Sequence, residues 1–274
     1  MTSVPPVECS IGTISEQGIA LICDESLRDA LGSIYKSEYG VKAVETAGCV
    51  FRQLTSSKWP TDTICRFLSG WRSTHGTAIY VSGLMVRLLR QASCERDARR
   101  LLLYQATAEV GEIIPEDTGV DDVPHNEQFV EFADCIVGDD RWKLCRYAQP
   151  ACERFRIFVM EQRLVSPIEE AILTTAASEN WNTGEYTYVD ALIRPWMTDI
   201  LGVPSEVVNR TTKYVSAHVG ETERGHFLHA IRAWKLYCQA TGQEADPTTA
   251  RDVFQRYLIA IGTVFEELKQ VLDT

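Results

Sequence analysis

Three of the five histidines fall within twelve residues, His218-Val-Gly-Glu-Thr-Glu-Arg-Gly-His226-Phe-Leu-His229. On a helix turning about 100° per residue, Val208, Thr211, Val215, His218, Thr222, His226, His229 and Ala233 share an arc of about 80°. The residues of this stripe are small, β-branched or imidazole-bearing, unlike the bulky Leu/Phe stripe of plain packing. It reads as a helix facing a polar cavity inside a bundle. Glu223 and His226 make an E-x-x-H pair, the spacing by which a bundle helix presents a carboxylate and an imidazole to one metal ion. One histidine on an interior face is more often a hydrogen-bonded core residue, so the repeated spacing carries the reading rather than any single ring.

Acids elsewhere in the chain could complete such a site. Glu109 follows the helical run Leu101–Ala108, and Glu179 closes the apolar and small run from Ala171 to Ser178. A carboxylate in those surroundings must be paired, protonated or metal-bound, because burying it alone is costly. Glu109, Glu112 and Glu116 stand at i, i+3 and i+7 and share a face if their helix continues through Pro115; Glu112 reads as a solvated charge. His125 opens the next helical stretch. The candidate ligands are therefore His125, His218 and His226 with Glu109, Glu116, Glu179 and Glu223. Imidazole and carboxylate without thiolate suit iron or manganese, and bridging carboxylates suit two such ions; zinc hydrolases usually use fewer ligands and an open water.

The elements that must position these residues are helical nearly throughout. Val253, Tyr257, Ile261, Val264, Leu268 and Val271 form a 3.6-residue stripe, and Asp246-Pro247 supplies that last helix with an N-cap and a first-turn proline. Ser166-Pro167 is expected to do the same for a helix over 168–182. Further helices are predicted over 24–38, 41–57, 61–71, 75–92, 94–114, 126–136, 141–163, 186–201 and 205–240. The segment Pro115–Pro124, with Gly119 and four acids, reads as a loop or a broken helix. No alternating strand and no Asn-Gly or Asp-Gly hairpin turn appears. The expected fold is a single all-α domain.

Composition removes other classes. Thirty-eight acidic residues against twenty-seven basic ones leave a formal charge of -11 over 274 residues, the wrong balance for tracking phosphates, so neither nucleic acid nor an anionic membrane is an expected partner. The nine cysteines sit singly with no CxxC pair and are expected to be reduced, mostly buried small hydrophobes. No basic region leads into an apolar stretch at the N-terminus, and Leu258–Phe265 is far short of the roughly 20 residues of a membrane helix. The expectation is a soluble, cytoplasmic protein.

With these residues in place the chain resembles the haem-oxygenase-like dinuclear iron oxidases and oxygenases. That family's pattern is a Glu on an early core helix, a His opening a later helix, a Glu mid-chain, and then a helix carrying His, Asp/Glu and His. Some members add a Glu before the first His. Glu109, His125, Glu179, His218, Glu223 and His226 fill those positions in order, with Glu116 as the additional acid, over roughly residues 95–240. One interval departs from the pattern: His218 lies five residues before Glu223, where the family usually has four. A π-type widened turn near Gly220 would absorb the extra residue, and Glu221 competes for the ligand role.

The resemblance implies a haem-oxygenase-like bundle holding two Fe(II) ions, with manganese as the alternative and O2 as co-substrate. It implies oxidation of a C–H or N–H bond in a small substrate, first among them a free aliphatic amino acid, by desaturation or C–N ring closure of the azetidine-forming kind. N-oxygenation and C–C cleavage are the family's other outcomes. An external electron donor and a homodimeric assembly remain open. Arg194, Arg210 and Arg224 are nominees for pairing a substrate carboxylate. Two metal-free readings of the same fold compete: a thiaminase-like hydrolase with Cys135 or Cys145 as nucleophile, and a haem or small-molecule binding protein.

Overall fold

Short polar residues ahead of the apolar-periodic stretches start several helices. In the computed structural model, which describes residues 10–74, 78–119 and 123–274, Ser10, Asp24 and Ser37 accept hydrogen bonds from backbone N–H groups three residues on. They open α1 (Ile11–Ile19), α2 (Glu25–Tyr35) and α3 (Glu38–Leu54). Next come α4 (Thr61–Arg72), α5 (Ala78–Cys94), α6 (Asp97–Gly111), α7 (Ile114–Thr118) and α8 (His125–Val137). Two 3-10 turns lead to α9 (Pro150–Leu164) and α10 (Ile168–Pro195). The chain ends with α11 (Ser205–Thr211), α12 (Lys213–Ala217), α13 (Glu221–Thr241) and α14 (Pro247–Asp273). No strand occurs among the described residues, and the all-α expectation holds.

Several boundaries differ from the sequence reading, each for a local reason. Residues 168–182 and 186–201 fuse through the 28-residue α10, because Asn182–Gly184 lies within a largely buried run and has no breaker strong enough to end it. Pro167, not Ser166, is its N-cap residue, and no side chain caps it. Pro195 carries no N–H, and the helix passes there into a π turn over Trp196–Ile200. The predicted 141–163 helix starts only at Pro150, where proline takes the first-turn position. The predicted 94–114 helix stops at Gly111, so no continuous helix carries Glu109, Glu112 and Glu116 through Pro115. The predicted 205–240 helix is three pieces, and α1 has no counterpart among the predicted helices.

α10 runs through the molecule with α13, α1, α9, α14 and α5 packed around it, while α14 lies along α2 and α3. Its interior is unusual for a central helix. Thr174, Thr175, Ser178, Glu179, Asn180, Thr183 and Glu185 are all buried alongside Ile172, Leu173, Trp181 and Ile193. Gly184 lets α1 come close, since a Cβ there would run into Ser15 Oγ and the Ile11 carbonyl oxygen. Next to this polar axis sits an aromatic cluster: the fully buried Trp71 ring has the rings of Phe51, Phe129, Phe132 and Phe67 at 5.4, 5.7, 6.0 and 6.1 Å. It clamps α3, α4 and α8 together, and so fixes the helix that begins with His125.

Among the described cysteines all are free. Cys65, Cys152 and Cys238 are buried as expected, but Cys23, Cys94 and Cys145 are exposed at helix ends and turns; Cys9 lies outside the described residues. No described helix is long and apolar enough to cross a membrane.

Candidate metal centre

Residues at i, i+3 and i+7 share a helix face, and on α10 this brings Glu179, Asn182 and Tyr186 to one pocket. Opposite them α13 contributes Glu223 and His226 from its first two turns. One ligand-capable atom each from Glu179, Glu223 and His226 lies within 4.8 Å of the others, and all three residues are buried. His226 Nδ1 stands 3.8 Å from Glu179 Oε2, and His218 Nε2 stands 3.7 Å from Glu223 Oε1. The His125 ring, on the first residue of α8, is 4.3 Å from that of His218.

The five-residue interval between His218 and Glu223 is accommodated by a break, not by the widened turn expected from the sequence. α12 ends at Ala217, His218 caps it, and Gly220 adopts φ +97° before α13 begins. Only glycine enters that region without strain, so Gly220 is what lets the two ligand candidates reach the same space. The π turn lies instead after Pro195, away from the histidines.

These separations fit a cation. They are too long for hydrogen bonds, whereas first-row divalent ions hold N and O donors at about 2.1 Å, which places neighbouring donors about 3–4 Å apart. His218 has its tautomer fixed: Nδ1 lies 2.6 Å from the Tyr214 carbonyl oxygen, which can only accept. Nδ1 therefore carries a proton, and Nε2, which faces Glu223, is the ring atom left to meet a metal ion, as in metal-bound imidazoles braced by a carbonyl. Tyr186 stacks on the same ring at 4.2 Å and hydrogen-bonds Tyr214 through their hydroxyls; burial holds its phenol well above the usual range. Arg163, fully buried on α9, places its guanidinium 3.9 Å from Glu179 and offsets the cost of enclosing that carboxylate.

A second buried acid on α10 lies one turn beyond Asn182. Glu185 accepts Trp71 Nε1–H at 2.7 Å and also the Trp181 indole N–H, yet burial outweighs both bonds and pushes its carboxyl up to about 7. Between the ordinary value of 4.5 and about 7, the folded protein keeps a proton that the unfolded chain has lost. Stability therefore falls as pH rises through that window and levels off above it, by about 3 kcal/mol at most. Denaturant unfolding at pH 5 and pH 8 should show this decline, and Glu185→Gln should flatten it. An unchanged slope in the variant would place the titration elsewhere.

Five of the seven sequence-predicted ligands thus converge: His125, Glu179, His218, Glu223 and His226. Glu109 does not join them. Its carboxylate accepts from Arg232 Nε at 2.8 Å and lies 2.7 Å from His229 Nδ1, forming a partly exposed α6–α13 ion-pair group. The side chains of Glu116 and of Glu221, the competitor for Glu223, lie outside the described residues. Among the nominated arginines, Arg194 pairs with Asp190, Arg210 with Glu131, and Arg224 bonds Gln17. None of the three lines the pocket, whereas Arg72 does. Arg72, Arg163, Asn182, Tyr186 and Tyr214 were not singled out in the sequence. Their types are ordinary at such spacings, and only the folding of α4, α9 and α10 around the histidines reveals them.

No protein-family model and no curated protein sequence matches the chain. Among solved structures it is similar to a TenA homologue from Pseudomonas syringae pv. tomato, with a TM-score of 0.64 over 98% of each chain at 11% sequence identity. The chain therefore has the TenA-like, haem-oxygenase-like all-helical fold. At that identity the likeness extends to the fold alone.

Proposed function

We propose that this chain is a non-haem oxidoreductase that binds two Fe(II) ions and uses O2 to oxidise a C–H or N–H bond of a small substrate, a free aliphatic amino acid being the first choice. The observation that carries the reading is the buried set of Glu179, Glu223, His226 and His218, with donor atoms at 3.7–3.8 Å and an imidazole whose Nε2 faces a carboxylate. Glu179, Glu223 and His226 would hold one ion. His125 and His218 would hold the other, with Glu116 as a further candidate ligand. Bound iron would supply the site for O2 and the electrons for its reduction.

The rest falls to the chain's own residues. The Tyr214 carbonyl keeps the proton on His218 Nδ1, and Tyr186 stacked on the ring limits its rotation. Arg163 braces Glu179 from behind. The free space beside these donors is about 20 Å³, room for about one water molecule.

The thiol reading finds no support in the pocket lining, which contains neither Cys135 nor Cys145. Burial pushes the Cys65 and Cys152 thiols up, and that of Cys238 to about 12.

The test is anaerobic loading with Fe(II) and a count of bound metal. We expect about two ions per chain, reduced by half or more in His125→Ala and His218→Ala with helicity retained. Absorption changes on mixing with O2 should be lost in the same variants. Stoichiometry near zero in the wild type, or full loading in both variants, would overturn the proposal.

A further inference from the structure

We infer that Arg72 is the anchor for a substrate carboxylate, with the side-chain amides of Asn126 and Asn182 beside it, so that the site selects small monoanionic acids. This rests on the metal reading above for what the anchored molecule faces, but the anchor itself is argued from the pocket rim. Arg72, the last residue of α4, lines the same pocket as Glu179, His218 and Glu223. It is half-buried, and no carboxylate among the described residues pairs with it. Two contacts orient it: NH2 donates to Asn126 Oδ1 at 3.3 Å, and the guanidinium carbon lies 5.4 Å over the Trp142 ring. Trp142 is itself fully buried and tied by Nε1–H to Asp134 at 2.6 Å, so the platform under the guanidinium is rigid.

The charge pattern makes this cation distinctive. The chain carries a formal charge of -11 and the floor of the pocket is acidic, yet its rim presents a guanidinium that no acid among the described residues pairs. The pocket's other rim groups are neutral amides, and no described residue hydrogen-bonds that of Asn182. A planar fork of donors flanked by amides matches the two coplanar oxygens of a carboxylate, and one cation balances one negative charge. Position follows from the chain: Asn126 directly follows His125, and Asn182 lies one helical turn beyond Glu179. A carboxylate held there would put the adjoining carbons at the mouth of the histidine–glutamate cluster.

Calorimetric titration of the Fe(II)-loaded protein, kept anaerobic so that nothing turns over, tests this with L-valine, L-leucine, L-leucinamide, isoamylamine and inorganic phosphate as probes. We expect the two acids to bind about tenfold or more tighter than the amide and the amine. Arg72→Gln should erase that preference, and Arg72→Lys should restore part of it, since an ammonium supplies charge without the fork. Iron content should be the same in all three proteins. Acid and amide binding alike, phosphate binding as tightly as the acids, no probe binding, or a preference surviving Arg72→Gln would each overturn the anchor. Failure of the wild type to load iron, with the acid preference present in the unloaded protein and lost in Arg72→Gln, would instead overturn the metal reading and leave the anchor standing.

Discussion

Glu179→Ala is expected to lower the stability of the fold by about 3 kcal/mol and to remove most of the iron the protein can bind. Two separate roles meet in this one side chain. Its carboxylate stands 3.8 Å from His226 and belongs to the buried donor group with Glu223. It also lies 3.9 Å from Arg163, whose side chain is fully enclosed. Truncation removes a metal donor and takes the neighbouring anion from a buried cation, and the second effect is costly wherever water cannot enter. Glu179→Gln keeps the volume and removes the charge, so it should lose iron like the alanine variant while packing is preserved. Pairing it with Arg163→Met should recover part of the stability without recovering iron. Denaturant unfolding and metal analysis on the four proteins separate the roles. Glu109→Ala is the counterpart: its ion pairs with His229 and Arg232 are partly exposed, so its cost should be roughly 0.5 kcal/mol with iron loading unchanged. A large loss of iron in that variant would place Glu109 among the ligands after all.

The different fates of Glu109 and Glu179 show what the sequence could carry. Both acids lie in helical stretches that read as core, and the cost of a buried carboxylate marks both as needing partners. For Glu179 the partners are His226 and Arg163 in the interior. For Glu109 they are His229 and Arg232, reached because α6 turns that face partly outward against α13. A helical projection orders residues around one axis but does not give the angle between two axes. Helix type was legible from the 3.6-residue period and from caps such as Asp246. The break at Gly220 was less so, because glycine inside an otherwise periodic run signals equally a tolerated residue, a widened turn or a stop. Its outcome was decided by tertiary demand: His218 must lie against Tyr186 and Tyr214 while Glu223 and His226 face α10. Arg72 and Asn182 were illegible for a related reason. Surface-type residues declare themselves only when the fold places them on a pocket rim.

Trp71→Ala should have the largest effect on folding of any single change considered, about 4–5 kcal/mol, enough to leave much of a marginally stable chain unfolded. The ring is fully buried and meets four phenylalanines from α3, α4 and α8, so truncation opens a cavity bounded by rigid aromatic neighbours that cannot collapse into it. It also removes the indole N–H that Glu185 accepts at 2.7 Å. Trp71→Phe retains most of the packing and deletes that bond, and should cost about 2 kcal/mol. The two losses differ in their pH dependence. The cavity term is the same at any pH, whereas the indole bond favours the ionised form of Glu185 and matters most above pH 7. Trp71→Phe should therefore be more destabilising at pH 8 than at pH 5, and this difference should vanish in a Glu185→Gln background. Equal costs at both pH values would show that Glu185 does not change protonation state between them. Because α8 leans on the same ring through Phe129 and Phe132, the helix opened by His125 should loosen with it. Iron affinity in Trp71→Phe, measured at a temperature where the variant is folded, then reports how far the aromatic clamp sets the position of that histidine.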